Sequence, residues 1–229
     1  MANFAKFLPE KIMKFITYLS IVIFIFLSVS CRKFKEEKIV AKAEPFVPTN
    51  IYPIERLPLH FTRVALLPCF HEDPDSPVLE FCDQIFHQEL SQERIFEIVK
   101  LSPEELKNIF GTQRVSSTKN LPANFLKIVE SATGANGVMF IDLDSYRPFR
   151  PMSLGVRSKL VDLKTGEFMW AIDETFDAGH ANVIVGASQF QETSQVRALS
   201  NKTNGSVLHS PRNFTKYVAS TVFSTLPKR

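Results

Sequence analysis

Hydrophobic residues along most of the chain follow two patterns. Short, nearly continuous apolar runs are typical of strands buried on both faces. Such runs occupy 62–68, 95–101 and 137–144. Apolar residues three and four positions apart are typical of amphipathic helices. This spacing occurs in 76–90, 122–134 and 210–225, and more weakly in 181–196. A strand, a helix and a strand in succession predict a right-handed crossover between parallel strands.

Polar and glycine residues mark where several of these elements begin and end. Ser102 followed three residues later by Glu105 is a capping box, which predicts a short helix that ends by Gly111. Gly134 is expected to end the helix before the 137–144 strand, because glycine adopts the left-handed conformation of a helix C-cap without strain. Ser210 before Pro211 predicts the start of the last helix.

Residues 154–163 and 167–176 predict a β-hairpin. They alternate apolar and polar positions on either side of the turn Lys164-Thr165-Gly166. Together with the earlier strands and helices, the hairpin predicts an α/β (mixed α+β) fold. We expect a single mixed β-sheet with an antiparallel C-terminal hairpin, flanked by helices.

The N-terminus has the layout of a signal peptide. Sixteen uncharged residues, 15–30, follow Lys6, Lys11 and Lys14. Met13 is an alternative start that gives a more compact signal peptide, and a short tilted membrane anchor is the other interpretation of the block. The sequence Leu27-Ser28-Val29-Ser30-Cys31 resembles the lipobox of bacterial lipoproteins, and this resemblance implies cleavage before Cys31 and acylation of its thiol.

The residues after Cys31 predict a tether. They are charged at first and then carry prolines at 45, 48, 53 and 58, which favour extended backbone and block helix formation. We therefore divide the chain into a signal peptide (1–30), a lipidated proline-rich tether (31–60) and an α/β domain (61–229). The tether connects the domain to the membrane through the lipid on Cys31.

Composition and motifs exclude classes of function and do not indicate an activity. The chain has 229 residues, 45% of them hydrophobic, and a net charge of +3. This composition is typical of an ordinary globular protein. Neither a nucleophile motif nor a phosphate-binding loop occurs, so we predict no catalytic residue, no cofactor and no enzyme activity. The acidic pair Asp142 and Asp144 is explained by pairing with Arg147 or Arg157. Nucleic acid is not expected as a partner, because no basic and aromatic recognition motif occurs.

One cluster of cysteines and histidines has the residue types of a zinc site. Cys69, His71, Cys82 and His87 are residue types that zinc prefers. His87 follows Cys82 by five residues, roughly 140° around a helix, so one ion could hardly reach both, and no metal is predicted. Two states stay open for Cys69 and Cys82: a disulfide, which an oxidising compartment favours, or free thiols, which the position of Cys82 in an apolar helix stripe favours.

Four blocks, in this order and spacing, carry a family resemblance. These are Arg63–Pro68, Phe96–Lys100, Gly134–Gly137 and Val161–Trp170, which ends in the sequence Asp-Leu-Lys-Thr-Gly-Glu-Phe-Met-Trp. Over residues 62 to about 178 the chain resembles the CsgG/LpoB-like bacterial outer-membrane lipoproteins. The resemblance implies a lipoprotein of the cell envelope, in the outer membrane and facing the periplasm, whose domain binds another envelope protein.

Three functions follow as hypotheses. One branch of the family activates peptidoglycan synthases, which implies a non-enzymatic accessory module for an envelope protein of that kind. Another branch is the curli secretion pore, which implies a self-oligomer. A lipid-anchored enzyme of unknown reaction is the third. Arg147, Phe149 and Arg150 in the sequence Arg-Pro-Phe-Arg-Pro form a candidate partner-binding loop, because interface hot spots favour arginine and aromatic side chains. The alternative is a plain connection between strands.

Overall fold

A computed structural model describes residue 18 and residues 42–53, 55–197 and 207–228. The predicted signal peptide (1–30) and Cys31 lie outside these residues, apart from Tyr18. In the described part of the chain, no helix has both the length and the hydropathy needed to cross a membrane.

The described chain forms a seven-stranded mixed sheet. Its strands are β1 Ile51–Pro53, β2 Arg63–Leu66, β3 Phe70–His71, β4 Glu97–Lys100, β5 Gly137–Arg147, β6 Ser153–Asp162 and β7 Phe168–Asp177. The order across the sheet is β1-β7-β6-β5-β2-β4, and β3 pairs with β5. Strand β2 is parallel to both β4 and β5, and β3 is parallel to β5. The pairs β5–β6, β6–β7 and β7–β1 are antiparallel.

Five α-helices of the described chain flank this sheet. They are α1 Cys82–Glu93, α2 Pro103–Phe110, α3 Phe125–Thr133, α4 Ala181–Arg197 and α5 Pro211–Phe223. Single 3₁₀ turns lie at Pro77–Glu80 and Val207–His209. The predicted fold class, a single mixed sheet with an antiparallel hairpin and flanking helices, is therefore confirmed.

Strand β2 shows why the continuous apolar run predicts burial on both faces. Val64 and Leu66 belong to the cluster that also holds α1 and α5 side chains. Ala65 and Leu67 belong to a second cluster, with side chains of α2 and α3. Because successive strand residues point to opposite faces, β2 contributes to a hydrophobic core on each side of the sheet.

Helix boundaries follow the local signals only in part. The Ser102 capping box is present, with Glu105 N–H donating to Ser102 Oγ and Ser102 N–H donating to Glu105 Oε2. Gly134 takes the left-handed C-cap conformation at φ +63°. The helix predicted from Ser76 instead begins as a 3₁₀ turn, and α1 starts at Cys82, because the backbone of Phe81 has non-helical angles.

Residues 45–60, which the sequence analysis assigned to the tether, lie in the same compact unit as the sheet. Residues Ile51–Pro53 form edge strand β1, the Phe46 ring contacts Phe176 with 4.9 Å between ring centroids, and Leu57 is 4% exposed. The physical reason is that proline excludes helix but not an edge strand, where one row of N–H groups needs no partner. The compact unit accordingly begins at Pro45.

Candidate functional site

The candidate partner-binding loop connects β5 to β6. Arg147, the last residue of β5, forms an ion pair with Asp177 at the end of β7, with 3.0 Å between Nη2 and Oδ2. Its Nε also donates to the carbonyl oxygen of Pro151, at 2.6 Å. Met152 is buried, and its carbonyl oxygen accepts a hydrogen bond from the Ala178 N–H. Both ends of the loop are thus fixed to β7 and the residues that follow it.

Phe149 lies in this fixed loop with 79% of its surface exposed. Arg150 beside it is also exposed, whereas the guanidinium of Arg147 is engaged by Asp177. The structure therefore divides the three predicted residues by role. Arg147 positions the loop, and Phe149 and Arg150 present an aromatic ring and a cation to solvent.

Cys69 and Cys82 lie close together at the start of α1, of which Cys82 is the first residue. Both are free thiols, 1% and 0% exposed, and their sulfur atoms lie within 4.8 Å of each other and of a carboxylate oxygen of Asp83. Burial raises the pKa of the Cys69 thiol well above its ordinary value. Burial therefore favours the neutral thiol of Cys69, and both sulfurs are shielded from solvent in the folded chain.

The two histidines of the candidate zinc cluster do not lie with the two cysteines. In the described chain, the group of close metal-ligating side chains is Cys69, Cys82 and Asp83, without His71 or His87. His71 Nδ1 instead accepts a hydrogen bond from the Asp73 N–H at 3.0 Å. Partial burial lowers the pKa of His87, and the nearby Lys100 charge lowers it further.

Asp83 is already occupied by protein groups. Its carboxylate accepts from the Cys69 N–H at 2.7 Å and forms a two-pronged ion pair with Arg114, at 3.0 and 3.1 Å. Arg114 also donates to the carbonyl oxygen of Cys69. A guanidinium in this position repels a cation, so the cluster is built as a polar clamp on the backbone at Cys69.

Loop 112–120, between α2 and α3, is held by the buried carboxylate of Asp142. Asp142 on β5 accepts from Ser116 Oγ at 3.0 Å, from Ser117 Oγ at 2.8 Å and from the Ser117 N–H at 2.9 Å. Burial raises the pKa of Asp142. Its neighbour Asp144 pairs with Arg157, as predicted, with 3.0 Å between Nη2 and Oδ2. The predicted arginine partner of Asp142 is wrong, because the two serines of the loop bind that carboxylate and Arg147 pairs with Asp177.

A polar cleft of about 480 Å³ opens beside this loop, near the residues that follow β2. Its walls include Phe70, Glu72, Lys107, Arg114 and Lys119. The Lys119 ammonium pairs with Glu72 at 2.9 Å and lies 4.7 Å from the centroid of the Phe70 ring. Sequence analysis missed this cleft, because its walls come from segments that are distant along the chain.

Comparison with known proteins finds similar chains among solved structures. No family model matches the chain, and no curated protein matches it. The PelC dodecamer from Paraburkholderia phytofirmans is 14% identical, with 78% of this chain and 98% of that chain covered and a TM-score of 0.45. Lipoprotein GNA1162 from Neisseria meningitidis is 14% identical, covering 60% and 99%, with a TM-score of 0.43.

The LpoB C-terminal domain from Escherichia coli is also similar to this chain. It is 15% identical, with 50% of this chain and 82% of that chain covered and a TM-score of 0.33. Identities and TM-scores this low do not assign the chain to a family.

Proposed function

We propose that this chain is a lipid-anchored accessory protein of the bacterial cell envelope that acts by binding another envelope protein. The observation that carries the proposal is Phe149, a large apolar side chain that is 79% exposed on a loop fixed by Arg147 and Asp177. The anchor is the acylated Cys31, in the outer membrane and facing the periplasm. In the chain, residues 32–44 connect this anchor to the compact unit, which begins at Pro45.

The physical argument for the loop rests on exposure and rigidity together. An aromatic ring flanked by a free arginine is the composition favoured in interface hot spots. Ordering a mobile loop on binding lowers affinity, and a loop that is already held by ion pairs avoids that loss. Phe149 and Arg150 therefore bind, and Arg147 keeps them in place.

The partner in this proposal is a peptidoglycan synthase. Support comes from the sequence blocks that resemble the CsgG/LpoB-like lipoproteins, whose synthase-activating branch works through such a domain. The role is binding without a reaction. That part of the proposal is supported by the acidic side chains of the sheet, because Asp142 is used by Ser116 and Ser117, and Arg157 is shared by Asp144 and Asp173.

The anchor is tested by membrane fractionation of cells that express the full chain with and without Cys31→Ser. We expect the unchanged chain to incorporate an alkyne-labelled fatty acid and to sediment with membranes, and the variant to lose both properties, because acyl chains supply the membrane affinity. A matched control is Cys69→Ser, which leaves Cys31 in place. Labelling that persists in Cys31→Ser would contradict the anchor.

The binding surface is tested by a photo-crosslinking amino acid at position 149, with position 168 as the control. Phe168 is also exposed, at 50%, but lies at the other end of the hairpin, near the Lys164–Gly166 turn. We expect position 149 to crosslink a peptidoglycan synthase and position 168 not to. With the purified synthase, Phe149→Ala should weaken binding at least about tenfold, and Phe168→Ala should leave it unchanged.

Two outcomes would reject this function, and the first of them would favour the self-oligomer. Crosslinks from position 149 only to further copies of this chain would support a ring of the secretion-pore type. Equal binding of the synthase by the Phe149→Ala and Phe168→Ala variants would remove the loop from the interface and, with it, the observation on which the proposal rests.

A further inference from the structure

We infer that Cys69 and Cys82 form a disulfide bond when the chain folds in an oxidising compartment. This inference rests on the proposed function in one respect, which is that the envelope supplies such a compartment. The bond would join the residue that precedes β3 to the first residue of α1. It would also close the segment that contains Phe70, His71 and Glu72, three residues that line the polar cleft.

Proximity of the two thiols is the first argument. The sulfur atoms lie within 4.8 Å of each other in the reduced chain, whereas the residues are thirteen positions apart in the sequence. A disulfide brings the sulfurs to about 2.05 Å. The folded chain has therefore already lost the loop-closure entropy that opposes the bond in a flexible chain.

A backbone clamp makes this proximity a property of the fold. Asp83, the residue after Cys82, accepts the Cys69 N–H at 2.7 Å. Arg114 binds both the Asp83 carboxylate and the Cys69 carbonyl oxygen. These contacts hold the backbone at Cys69 against the start of α1. The Cys82 thiol donates a long hydrogen bond to the same Asp83 oxygen, at 3.7 Å, and gives up this bond when the two sulfurs join.

The same clamp favours a disulfide over a metal ion. A metal held by the two sulfurs would take Asp83 as its third ligand in the described chain. That carboxylate is occupied by the Arg114 guanidinium at 3.0 Å, which would have to leave before a cation entered. Burial also favours the neutral thiol of Cys69 over the thiolate that a metal needs. A disulfide carries no charge and leaves the ion pair intact.

The reaction balances with an ordinary disulfide oxidant. One cysteine thiolate attacks a sulfur of a protein or glutathione disulfide, which forms a mixed disulfide and releases one thiolate. The second cysteine then attacks the mixed disulfide, forms the Cys69–Cys82 bond and releases the other thiolate. The chain loses two protons and two electrons, and the oxidant is reduced to two thiols. Because both cysteines are buried after folding, the oxidant reacts with the first cysteine before the core closes, and the second cysteine attacks as the fold brings the two sulfurs together.

The test uses the full chain in a Cys31→Ser background, which leaves Cys69 and Cys82 as its cysteines. The protein is refolded from urea in reduced and oxidised glutathione, quenched with acid, alkylated with N-ethylmaleimide in urea so that buried thiols also react, and weighed by mass spectrometry. We expect a product that takes up no alkylating groups and is two hydrogens lighter than the reduced chain. The matched variants Cys69→Ala and Cys82→Ala should each take up one alkylating group or one glutathione.

Burial gives a second readout that does not depend on how the variants fold. Dithiothreitol should reduce the bond in urea at least about tenfold faster than in the folded protein, because a reductant thiolate must reach a buried sulfur. Two alkylated thiols after refolding in the glutathione mixture would overturn the inference. So would equal rates of reduction in the folded and unfolded states.

A measurement in cells separates this inference from the proposed function. Acid-trapped cells are alkylated, and the mature chain is examined for the same bond. A bond that forms in the purified protein but is absent in cells would contradict the envelope location, not the pairing of the two cysteines. Failure in the purified protein would overturn the pairing and leave the anchor and the Phe149 interface standing.

Discussion

At the scale of single residues, buried carboxylates determine how stability depends on pH. Glu89 on α1 is only 3% exposed, and its carboxylate lies beside Gln92 and 3.7 Å from the Lys216 ammonium of α5. Burial raises the pKa of Glu89, which outweighs the opposing effects of Lys216 and Gln92. The folded chain therefore holds this proton at a pH where the unfolded chain has released it.

We predict that Glu89→Gln stabilises the protein near neutral pH and that this advantage shrinks as the pH falls. A carboxyl with a raised pKa lowers the free energy of unfolding at pH values above that pKa, and this cost disappears below the pKa of the unfolded chain. Urea unfolding of both proteins between about pH 7 and about pH 4 measures the difference. A stability difference that stays constant over this range would contradict the prediction. Glu130→Gln, which removes an exposed carboxylate from α3, is the control.

A second residue-scale prediction concerns Gly137, the first residue of β5. A Cβ atom at this position would lie 2.1 Å from the Phe61 ring, which is fully buried. We expect Gly137→Ala to lower the free energy of unfolding by about 1–3 kcal/mol, as overpacking does. Gly137→Ala should cost less free energy of unfolding in a Phe61→Leu background than in the unchanged protein, because the smaller side chain leaves room for the added methyl group. Denaturant unfolding of the four proteins gives the coupling energy.

At the scale of elements, edge strand β1 shows how a segment rich in proline joins a sheet. Glu174 on β7 accepts the Asn50 N–H at 2.7 Å and also accepts from Thr49, just before β1 begins. Asn50 in turn accepts the Asp173 N–H through its carbonyl oxygen, at 3.1 Å. One carboxylate thus fixes the register of a three-residue strand that is too short to hold itself.

We predict that Glu174→Ala releases β1 and leaves the rest of the sheet folded. The amide hydrogens of Thr49 and Asn50 should exchange faster, whereas those of β5 and β6 should keep their protection, because local opening does not require global unfolding. Hydrogen exchange followed by mass spectrometry measures both. Glu167→Ala, which removes an equal charge from the exposed β6–β7 turn, should leave β1 protected. Unchanged exchange at β1 in Glu174→Ala would show that the strand is held by other contacts.

At the scale of the whole molecule, the sheet separates two hydrophobic cores, and residues before β2 belong to one of them. Leu57 and Phe61 are buried in the core shared with α1 and α5, and Phe46 packs against its edge at Phe176. The stable unit therefore needs the segment from Pro45 onwards, not only the α/β pattern that begins near residue 61.

We predict that a chain of residues 45–229 keeps full stability and that a chain of residues 61–229 does not. The shorter chain loses Leu57, Phe46 and strand β1. Burial of one such apolar side chain contributes about 1.5–3 kcal/mol, so we expect a loss of more than about 2 kcal/mol in the free energy of unfolding. Urea unfolding of both chains measures it. Equal midpoints would show that residues 45–60 add no stability to the domain.

The sequence by itself determined the elements whose signals are local. The run around Val64 to Leu67 predicted a strand buried on both faces, the turn Lys164–Gly166 predicted the hairpin, and Ser102 with Glu105 predicted a helix start. These signals act between residues a few positions apart, and side-chain periodicity follows directly from backbone geometry. The exposed Phe149 loop was also identified from its composition.

Only the tertiary structure decided which distant residues meet. Residues 45–60 show local features of a tether, but the sheet edge provides Glu174 and Phe176 as partners for them. Loop 112–120 shows no local pattern, because the groups that hold it are Asp142 on β5 and Asp83 on α1. The nearness of Cys69 and Cys82 likewise depends on the path of the intervening chain. Such contacts are set by packing of the whole chain, which no short window of sequence contains.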